Sequence, residues 1–407
     1  MGMTRPISPP RPLVIPVILA GGVGRRLAPY STDACPKPFL PLGEDGHCLY
    51  GHTLARLHPD WHAPLVIGRA ADRFALLNRA REAGCKPASI LLEDAPHNTG
   101  MAVAYAAAWV AQHHPQATIL ILPADHRLSP THAWQEAAMR ALQAAQRHDQ
   151  PCLLVAPATE PDTAFGYVES AAVVDGVAPV VRFVEKPENP AAYIARGAGW
   201  NMGQCAVGAA RLTTLLQTLA PDYAVAAQQA LCAARPAYEF TVLPPLARPL
   251  AALPFDRLVL EHAACHAVPF AGHWSDLGTV ERWQTHAALP SLAAETLRID
   301  RPWGYFHVLQ AQPDHTIKRL IIYPNLRLSL QKHQYRAERW RVLDGRAHIR
   351  CEDSHYILEK NEEIYIPRGA WHRLENKQAK NLIIYEEQIG NCDESDITRA
   401  EDDYGRV

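Results

Sequence analysis

Three glycines and two cations follow the first apolar run of the chain, at Gly21, Gly22, Gly24, Arg26 and Lys37. Glycine lets backbone N–H groups close on phosphate oxygens, where a side chain would collide. A dinucleotide-binding loop would need glycine at the position of Leu27, and a Walker loop would need Gly-Lys-Ser/Thr, which is absent. The pattern therefore predicts a phosphate-binding loop of another kind, in which Arg26 and Lys37 neutralise a triphosphate and its leaving pyrophosphate. A plain glycine turn with surface cations is the alternative.

Two aspartates, Asp125 and Asp276, each follow a short apolar run and suit a metal ion. Ligands of open α/β sheets bind at the carboxyl ends of the strands, and Mg²⁺ prefers one or two protein carboxylates together with substrate phosphate. We therefore expect Asp125 and Asp276 to hold one Mg²⁺. Between them, Lys186 ends another candidate strand and Asn201 offers an amide to sugar hydroxyls. Solvated charges at strand ends are the alternative for each of these residues taken singly.

Short Val/Ile/Leu runs alternate with longer Ala/Leu/Gln segments from residue 14 to residue 285, as in strands covered by crossover helices. A Rossmann-like α/β domain with a mainly parallel sheet is therefore expected. The predicted strands are 14–20, 65–68, 89–92, 118–122 and 152–156, and the predicted helices are 101–112 and 131–145.

The pattern changes in the C-terminal quarter of the chain. From Arg301 onward short alternating runs follow one another with little helical periodicity. We therefore predict an α/β domain over residues 14–288 and an all-β domain over residues 297–407, joined near residues 289–297.

Composition excludes several classes of protein. The 407 residues are 48% hydrophobic and 20% charged with a net charge of −2, so the chain folds and has no bulk positive field for nucleic acid. The longest apolar run near the N-terminus, residues 12–24, is too short to span a membrane. Nine cysteines form no CxxC motif, which indicates reduced thiols and a cytoplasmic location.

A second set of metal-ligand residue types lies in the C-terminal region, at His333, Glu338 and His372. Their spacing resembles that of the cupin barrels, which place two such clusters on facing strands. In the full cupin pattern a second histidine stands where this chain has Tyr335, and a neutral phenol is a poorer ligand. The three residues, aided by Gln331, could hold Zn²⁺ or another divalent metal. Hydrogen-bonded core histidines are the alternative.

The segments around the first set of residues resemble the sugar-1-phosphate nucleotidylyltransferases, and most closely the mannose-1-phosphate guanylyltransferases, over residues 14–285. The resemblance implies that mannose 1-phosphate attacks the α-phosphorus of GTP, giving GDP-mannose and pyrophosphate. It implies that Asp125 and Asp276 hold Mg²⁺. It further implies nucleotide contacts from Gly21, Gly22, Gly24, Arg26, Lys37 and Asn98, and sugar-phosphate contacts from Gly166, Glu185, Lys186 and Asn201.

The predicted barrel resembles the C-terminal domain of the bifunctional type II enzymes, which join this transferase to mannose-6-phosphate isomerase. Isomerisation needs a polarised carbonyl and a base. Tyr335, in place of a histidine, weakens the metal site that would polarise this carbonyl. A barrel kept for dimerisation or for covering a sheet edge is therefore the alternative, and a homo-oligomer stays open.

Two departures from the family pattern leave the substrates open. The family's Asn-Ser-Gly is Asn201-Met202-Gly203 here, and its Asp-Tyr-Ala-Val-Met-Glu is replaced at residues 256–261. A transferase of other base or sugar specificity is one alternative to the GDP-mannose reaction. A regulator that binds nucleotide or sugar phosphate without turnover is another.

Overall fold

A computed structural model describes residues 13–42, 47–286, 298–393 and 395–404. These residues form two compact units. The first lies within Met1–Arg26, Lys37–Arg73 and Arg79–Ala288, and the second lies within Leu27–Pro36, Phe74–Asn78 and Leu289–Val407. The expected join, residues 289–297, lies outside the described residues.

The first unit alternates strands and helices as predicted. Its strands are β1 Val14–Ala20, β2 Leu65–Arg69, β3 Ser89–Glu93, β4 Thr118–Pro123, β5 Arg127–Ser129, β6 Cys152–Ala156, β7 Tyr167–Ser170, β8 Ala178–Val184, β9 Gly199–Gly208, β10 Arg235–Ala237, β11 Phe240–Val242, β12 His266–Pro269 and β13 His273–Ser275. Its helices are α1 Leu49–Ala55, α2 Arg73–Glu82, of which part is assigned to the second unit, α3 Asn98–His113, α4 Thr131–His148, α5 Pro190–Ile194, α6 Ala209–Leu219, α7 Pro221–Cys232 and α8 Val280–His286. A π-helix spans Asp256–Leu260.

Among the described residues, eleven of these strands form one sheet in the order β10-β11-β3-β2-β1-β4-β9-β6-β12-β8-β7. The strands β3, β2, β1 and β4 are parallel, so their carboxyl ends meet at one edge. The α/β prediction is confirmed, but the sheet also contains antiparallel pairs at β9, which runs against β4 and β6. The chain reaches β9 from the antiparallel pair β7–β8 through α5, and β9 pairs antiparallel with β7 as well.

Strand β4 shows why the apolar runs of this unit are continuous and not alternating. Ile119 and Ile121 belong to a core packed under α3, whereas Leu120 and Leu122 belong to a core packed under α4. Successive side chains of a strand point to opposite faces, so a strand covered on both sides is apolar at every position.

The second unit is all-β in its C-terminal part. Its strands are β14 Arg298–Arg301, β15 Gly304–Gln312, β16 His315–Ile322, β17 Leu330–Lys332, β18 Arg336–Asp344, β19 Ala347–Cys351, β20 Ser354–Leu358, β21 Glu363–Ile366, β22 His372–Glu375, β23 Leu382–Gly390 and β24 Thr398–Glu401. They form two sheets, β14-β15-β16-β23-β18-β21 and β20-β19-β22-β17-β24. Trp340, Leu374 and Ile384 lie in the core of this unit. The prediction of an all-β barrel is confirmed.

In the part of the chain that the structure describes, no helix has both the length and the apolar character required to cross a membrane.

Candidate functional site

A cavity of about 700 Å³ opens at the carboxyl edge of the first unit's sheet. Most of the predicted site residues line it, although they come from seven separate segments of the chain. The lining includes Gly21, Gly22, Gly24, Asn98, Asp125, Gly166, Glu185, Lys186, Asn201 and Asp276. Arg26 and Lys37 stand beside this lining and contact its aspartates.

A short β-ribbon brings the two predicted metal ligands together. Strand β13 pairs antiparallel with β5, with Ser275 opposite Arg127. Asp276 follows β13 and Asp125 precedes β5, so the ribbon sets both carboxylates at the same end. The pairing joins segments about 150 residues apart, and neither short strand was predicted from the sequence.

Lys37 lies between the two aspartates. Its side chain is 7% exposed, its Nζ donates to Asp125 Oδ2 at 2.6 Å, and it also donates to the carbonyl oxygen of Asp276. Burial raises the pKa of Asp125, but the charge and hydrogen bond of Lys37 outweigh burial and bring that pKa below its ordinary value. Asp125 is therefore ionised at neutral pH and already attracts a cation.

The two oxygens of Asp276 have different surroundings. Oδ1 accepts from the backbone N–H of Gly278 at 3.1 Å and from Arg282 Nη1 at 3.0 Å. Oδ2 lies 3.9 Å from Arg26 Nη2, whose side chain is 61% exposed. Burial raises the pKa of Asp276 more than Lys37 lowers it. The residue types present fit a divalent cation, since the two carboxylates act electrostatically on each other and both are stabilised by positive charge.

His126 adds a neutral donor to this edge of the cavity. Its Nδ1 lies 3.2 Å from the indole Nε1–H of Trp274, whose ring contacts that of Phe165. Burial lowers the pKa of His126 to about 4, against the opposing effect of Asp125 and with a further contribution from Lys37. The imidazole is therefore neutral at pH 7, and because Nδ1 accepts a hydrogen bond, Nε2 carries the proton.

The glycine loop is held against Lys37. The backbone N–H of Lys37 donates to Val23 O at 3.0 Å. Gly24 has φ +77°, and a Cβ at this position would lie 2.5 Å from Lys37 Cβ. A Cβ on Gly22 would meet nothing within 4 Å. The packing of the folded chain therefore explains why residue 24 is glycine. At Gly22 the chain itself leaves open space, which a ligand could fill.

Glu93 is a cavity residue that sequence reasoning missed. It ends β3, is 4% exposed, and its Oε1 has no hydrogen-bond partner among the described residues. Burial, with a smaller effect from the charge of Asp94, raises the pKa of Glu93 to about 8. The predicted strand 89–92 ends one residue before the observed strand, so it left out Glu93. The sequence signal that could have identified Glu93 is a carboxylate at the carboxyl end of a parallel strand.

Asn201 is paired with a second missed residue, Asp256. Asn201 Nδ2 donates to Asp256 Oδ1 at 2.6 Å, and the backbone N–H of Gly203 donates to Asn201 Oδ1 at 3.1 Å. Burial and the charge of Glu185 raise the pKa of Asp256 to about 6. Although residues 256–261 depart from the family pattern, their first residue therefore still lines the cavity.

Glu185 and Lys186 also line the cavity. Lys186 Nζ lies 2.9 Å from Glu185 Oε1, and the backbone N–H of Glu185 donates to Glu261 Oε1 at 2.7 Å. A Cβ on Gly166 would lie 2.7 Å from Glu185 Oε2, so only glycine leaves this carboxylate in place. Carboxylates, an amide and a cation side by side suit the hydroxyls and phosphate of a sugar phosphate.

In the second unit, His333, Glu338 and His372 converge inside the barrel. Glu338 Oε1 lies 3.1 Å from His333 Nε2, and Glu338 Oε2 lies 3.4 Å from His372 Nε2. All three side chains are 1% exposed, and their ligand atoms lie within 4.8 Å of one another. Glu338 Oε2 and His372 Nε2 have no hydrogen-bond partner in the described part of the chain. Such buried, unpartnered atoms fit a metal ion.

The two other residues predicted at this centre differ in position. Gln331 Nε2 lies 3.4 Å from His333 Nε2, so Gln331 is beside the cluster. Tyr335 is 59% exposed, so its ring lies at the surface. Burial raises the pKa of Glu338, but the two imidazoles outweigh burial and hold that pKa well below its ordinary value.

Comparison with known families matches both units. Residues 15–289 match the family described as Nucleotidyl transferase, and residues 291–402 match the family described as Mannose-6-phosphate isomerase C-terminal. Among curated proteins, the xanthan biosynthesis protein XanB of Xanthomonas campestris is 30% identical, covering 97% of this chain and 99% of that protein. Mannose-1-phosphate guanylyltransferase ManC of Salmonella typhimurium is 30% identical, covering 96% of this chain and 98% of that protein.

Solved structures give two further similarities. A structure titled mannose-1-phosphate geranyltransferase, from Thermus thermophilus, is 28% identical with a TM-score of 0.56, covering 67% of this chain and 79% of that one. Mannose-6-phosphate isomerase from Helicobacter pylori has a TM-score of 0.56 at 22% identity, covering 65% of this chain and 99% of that one, a likeness of fold alone.

Proposed function

The chain belongs to the nucleotidyl transferase family, and from this premise we propose that it joins GTP and mannose 1-phosphate to give GDP-mannose and pyrophosphate. The observation that carries the proposal is the convergence of glycine loop, cations, aspartates and sugar-binding residue types on one cavity of about 700 Å³. The name of the ManC relative, a mannose-1-phosphate guanylyltransferase that is 30% identical over 96% of this chain, supports the class of reaction.

The reaction asks the protein for alignment and charge neutralisation. An ionised phosphate oxygen of mannose 1-phosphate attacks the α-phosphorus of GTP. One P–O bond forms, the bond from the α-phosphorus to the α,β-bridging oxygen breaks, and its electron pair leaves on pyrophosphate. No proton moves at the reacting oxygens, so Arg26, Lys37 and the glycine-loop N–H groups act by holding phosphate charge.

We assign Asp125 and Asp276 as the ligands of Mg²⁺, which when bound supplies charge neutralisation at the phosphates. The ammonium of Lys37 already contacts both residues. The positive charge of Lys37 therefore offsets the repulsion between the two carboxylates before substrate binds. When substrate binds, the ammonium contacts the phosphate. Glu185, Lys186 and Asn201, with Asp256, form the sugar-phosphate end of the same cavity.

We assign the reading of guanine to Glu93. Guanine presents two adjacent donors, N1–H and the 2-amino group, and an ionised carboxylate presents two acceptors. Glu93 has an unpartnered buried oxygen in the cavity, near the glycine loop, since a Cβ on Gly21 would lie 3.4 Å from Glu93 Oε2. Uracil and thymine present one donor and one acceptor to the same side chain, which the ionised carboxylate cannot match.

The test is pyrophosphate release from each nucleoside triphosphate with mannose 1-phosphate or glucose 1-phosphate. We expect GTP with mannose 1-phosphate to be the preferred pair. We expect Glu93→Gln to lower kcat/KM for GTP about 30-fold, because one buried hydrogen bond of about 2 kcal/mol is lost, and to improve UTP relative to GTP.

The exposed Glu136, on α4, provides the matched control, and Glu136→Gln should leave the nucleotide preference unchanged. A wild-type preference for UTP or dTTP would contradict the guanylyl assignment. Release of no pyrophosphate from any pair would contradict the transferase itself.

The His333, Glu338 and His372 centre supports a second proposed activity, the isomerisation of mannose 6-phosphate and fructose 6-phosphate. A divalent metal there would polarise the sugar carbonyl. His333, Glu338 and His372 would hold the metal, with Gln331 beside them.

A further inference from the structure

Arg282 connects a proposed metal ligand to the wall of the cavity. It lies on α8, where its Nη1 donates to Asp276 Oδ1 at 3.0 Å and its Nη2 pairs with the carboxylate of Asp162. Its guanidinium lies 4.5 Å from the centre of the Phe165 ring. Two carboxylates and an aromatic ring therefore hold the planar guanidinium in one place.

Asp162 belongs to the segment between β6 and β7 that forms this wall. Its backbone N–H donates to the hydroxyl of Tyr167 at 2.9 Å, and the same hydroxyl donates to its carbonyl at 3.1 Å. Its Oδ1 accepts from the backbone N–H of Ala164 at 2.7 Å. Ala164, Phe165 and Gly166 line the cavity. Arg282 thus contacts a segment whose geometry is fixed by its own hydrogen bonds.

The contact with Arg282 also selects which oxygen of Asp276 is available. Oδ1 accepts two hydrogen bonds, from Gly278 and Arg282. Oδ2 accepts none of these bonds and faces Arg26. A divalent cation that competes for Asp276 therefore meets Oδ2 with its direction already fixed.

We propose that Arg282 is a positioning residue for the nucleotidyl transfer, which presents Asp276 Oδ2 to the divalent cation and ties that carboxylate to the sugar end of the cavity through Asp162. The inference rests on the proposed function, because it takes Asp276 as a metal ligand. Groups that orient a metal ligand typically change metal affinity 10- to 100-fold when removed.

The opposite expectation follows from charge alone. A guanidinium beside a cation site repels the cation, so its removal would tighten metal binding. Lysine keeps that charge but lacks the planar pair of donors that bonds two carboxylates at once. Arg282→Lys therefore separates geometry from charge.

The experiment measures Mn²⁺ binding by electron paramagnetic resonance in the presence of GTP and without sugar phosphate, so that no turnover occurs. We expect Arg282→Ala and Arg282→Lys each to weaken Mn²⁺ binding about tenfold, with GTP binding in EDTA unchanged. Asp162→Asn should weaken Mn²⁺ binding to a lesser degree, and adding it to Arg282→Ala should cost nothing further, because Asp162 acts through Arg282. Gln284→Ala, at an exposed position of the same helix, is the matched control.

Mn²⁺ affinity equal to wild type in both Arg282 variants, or tighter in Arg282→Ala, would overturn the inference. If Arg282→Ala fails to fold, as thermal unfolding would show, Arg282→Lys and Asp162→Asn still decide. Failure of the proposed function is distinguishable, since the spectrum of Mn²⁺ with GTP would then be the same with and without the wild-type protein, and wild type would form no GDP-mannose.

Discussion

Lys37 influences the ionisation of both aspartates in the cavity. Its ammonium bonds Asp125 and the Asp276 carbonyl, and its backbone bonds the glycine loop at Val23. A buried lysine is costly unless it is paired, and here its partners are one proposed metal-holding carboxylate, that of Asp125, and the backbone carbonyl of the other proposed ligand, Asp276. The same side chain therefore pairs with Asp125 in the cavity, and under the proposed function its ammonium would bind phosphate when a metal binds the aspartates.

The titration of Glu93 predicts opposite pH dependences for two quantities, the free energy of unfolding and the affinity for GTP. Burial raises the pKa of Glu93 from 4.5 to about 8, so between these values the folded protein keeps a proton that the unfolded chain has lost. The free energy of unfolding therefore falls as pH rises through this window, by up to about 1.4 kcal/mol per pH unit. Guanine needs the ionised carboxylate, so GTP affinity should rise over the same window and level off above pH 8.

Thermal unfolding and GTP binding, each measured from pH 5.5 to pH 8.5 for wild type and Glu93→Gln, check both signs. The variant should lose the contribution of Glu93 to both slopes, because its amide does not titrate, so the difference between wild type and variant carries the signal. A wild-type GTP affinity that is flat in pH, or that parallels the variant, would mean that Glu93 does not accept from the base.

At the scale of elements, the glycine loop separates two uses of glycine. Gly24 has φ +77° and a Cβ there would collide with Lys37, whereas Gly22 has open space. We expect Gly24→Ala to destabilise the protein by about 1–3 kcal/mol, because it strains the backbone and displaces Lys37. Gly22→Ala should leave the free protein as stable as wild type but weaken GTP binding, because its methyl group occupies phosphate space.

Thermal unfolding and GTP titration of the two variants provide the comparison, and each variant is the control for the other. Equal destabilisation by both substitutions would contradict the steric reason given for Gly24. Unchanged GTP affinity in Gly22→Ala would remove the loop's backbone from the phosphate site.

Elements with strong local patterns could be predicted from the sequence, and elements defined by distant pairing could not. Strands β1 and β6 match their predicted bounds, since both are apolar at consecutive positions. The β5–β13 ribbon consists of three-residue strands whose partners lie far apart in the chain, so no local period marks it. The same holds for the candidate site. Residue type and position in the sequence were enough to propose Asp125 and Asp276, whereas only the β5–β13 ribbon of the structure shows that they lie close together.

Glu93 and Asp256 show the limit for single residues. Glu93 is a buried carboxylate and Asp256 a half-buried one, and the surroundings of both come from other segments, whereas a sequence shows charge but not burial. Tyr335 shows the converse: the substitution was visible in the sequence, but only the structure places its ring at the surface, away from the buried cluster.

At the scale of the whole molecule, each unit has its own core and its own cluster of functional residue types. The cavity of the first unit is lined by residues at one sheet edge, and the His333, Glu338 and His372 centre lies inside the second unit's barrel. Separate cores and separate sites allow one centre to be disabled without changing the chemistry of the other.

The barrel metal is therefore testable in the full chain. We expect wild type to retain about one equivalent of a divalent metal, and His372→Ala to lose it, because one of three buried ligands is removed. Removal of the metal should lower the thermal stability of wild type, whereas pyrophosphate release with added Mg²⁺ should stay within about twofold, because the nucleotide site keeps all its residues. Metal analysis, thermal unfolding and the pyrophosphate assay supply the measurements, and His355→Ala, at an exposed histidine of the same domain, is the control.

The isomerase proposal depends on the same variants. If the metal polarises the sugar carbonyl, wild type and His355→Ala should form mannose 6-phosphate from fructose 6-phosphate, and His372→Ala should not. Metal retention without turnover would contradict the isomerase activity and leave the centre as a structural site, for which three side chains only 1% exposed are well suited. A wild-type protein without metal would contradict both, and would make the low pKa of Glu338 the consequence of two imidazoles that serve the core alone.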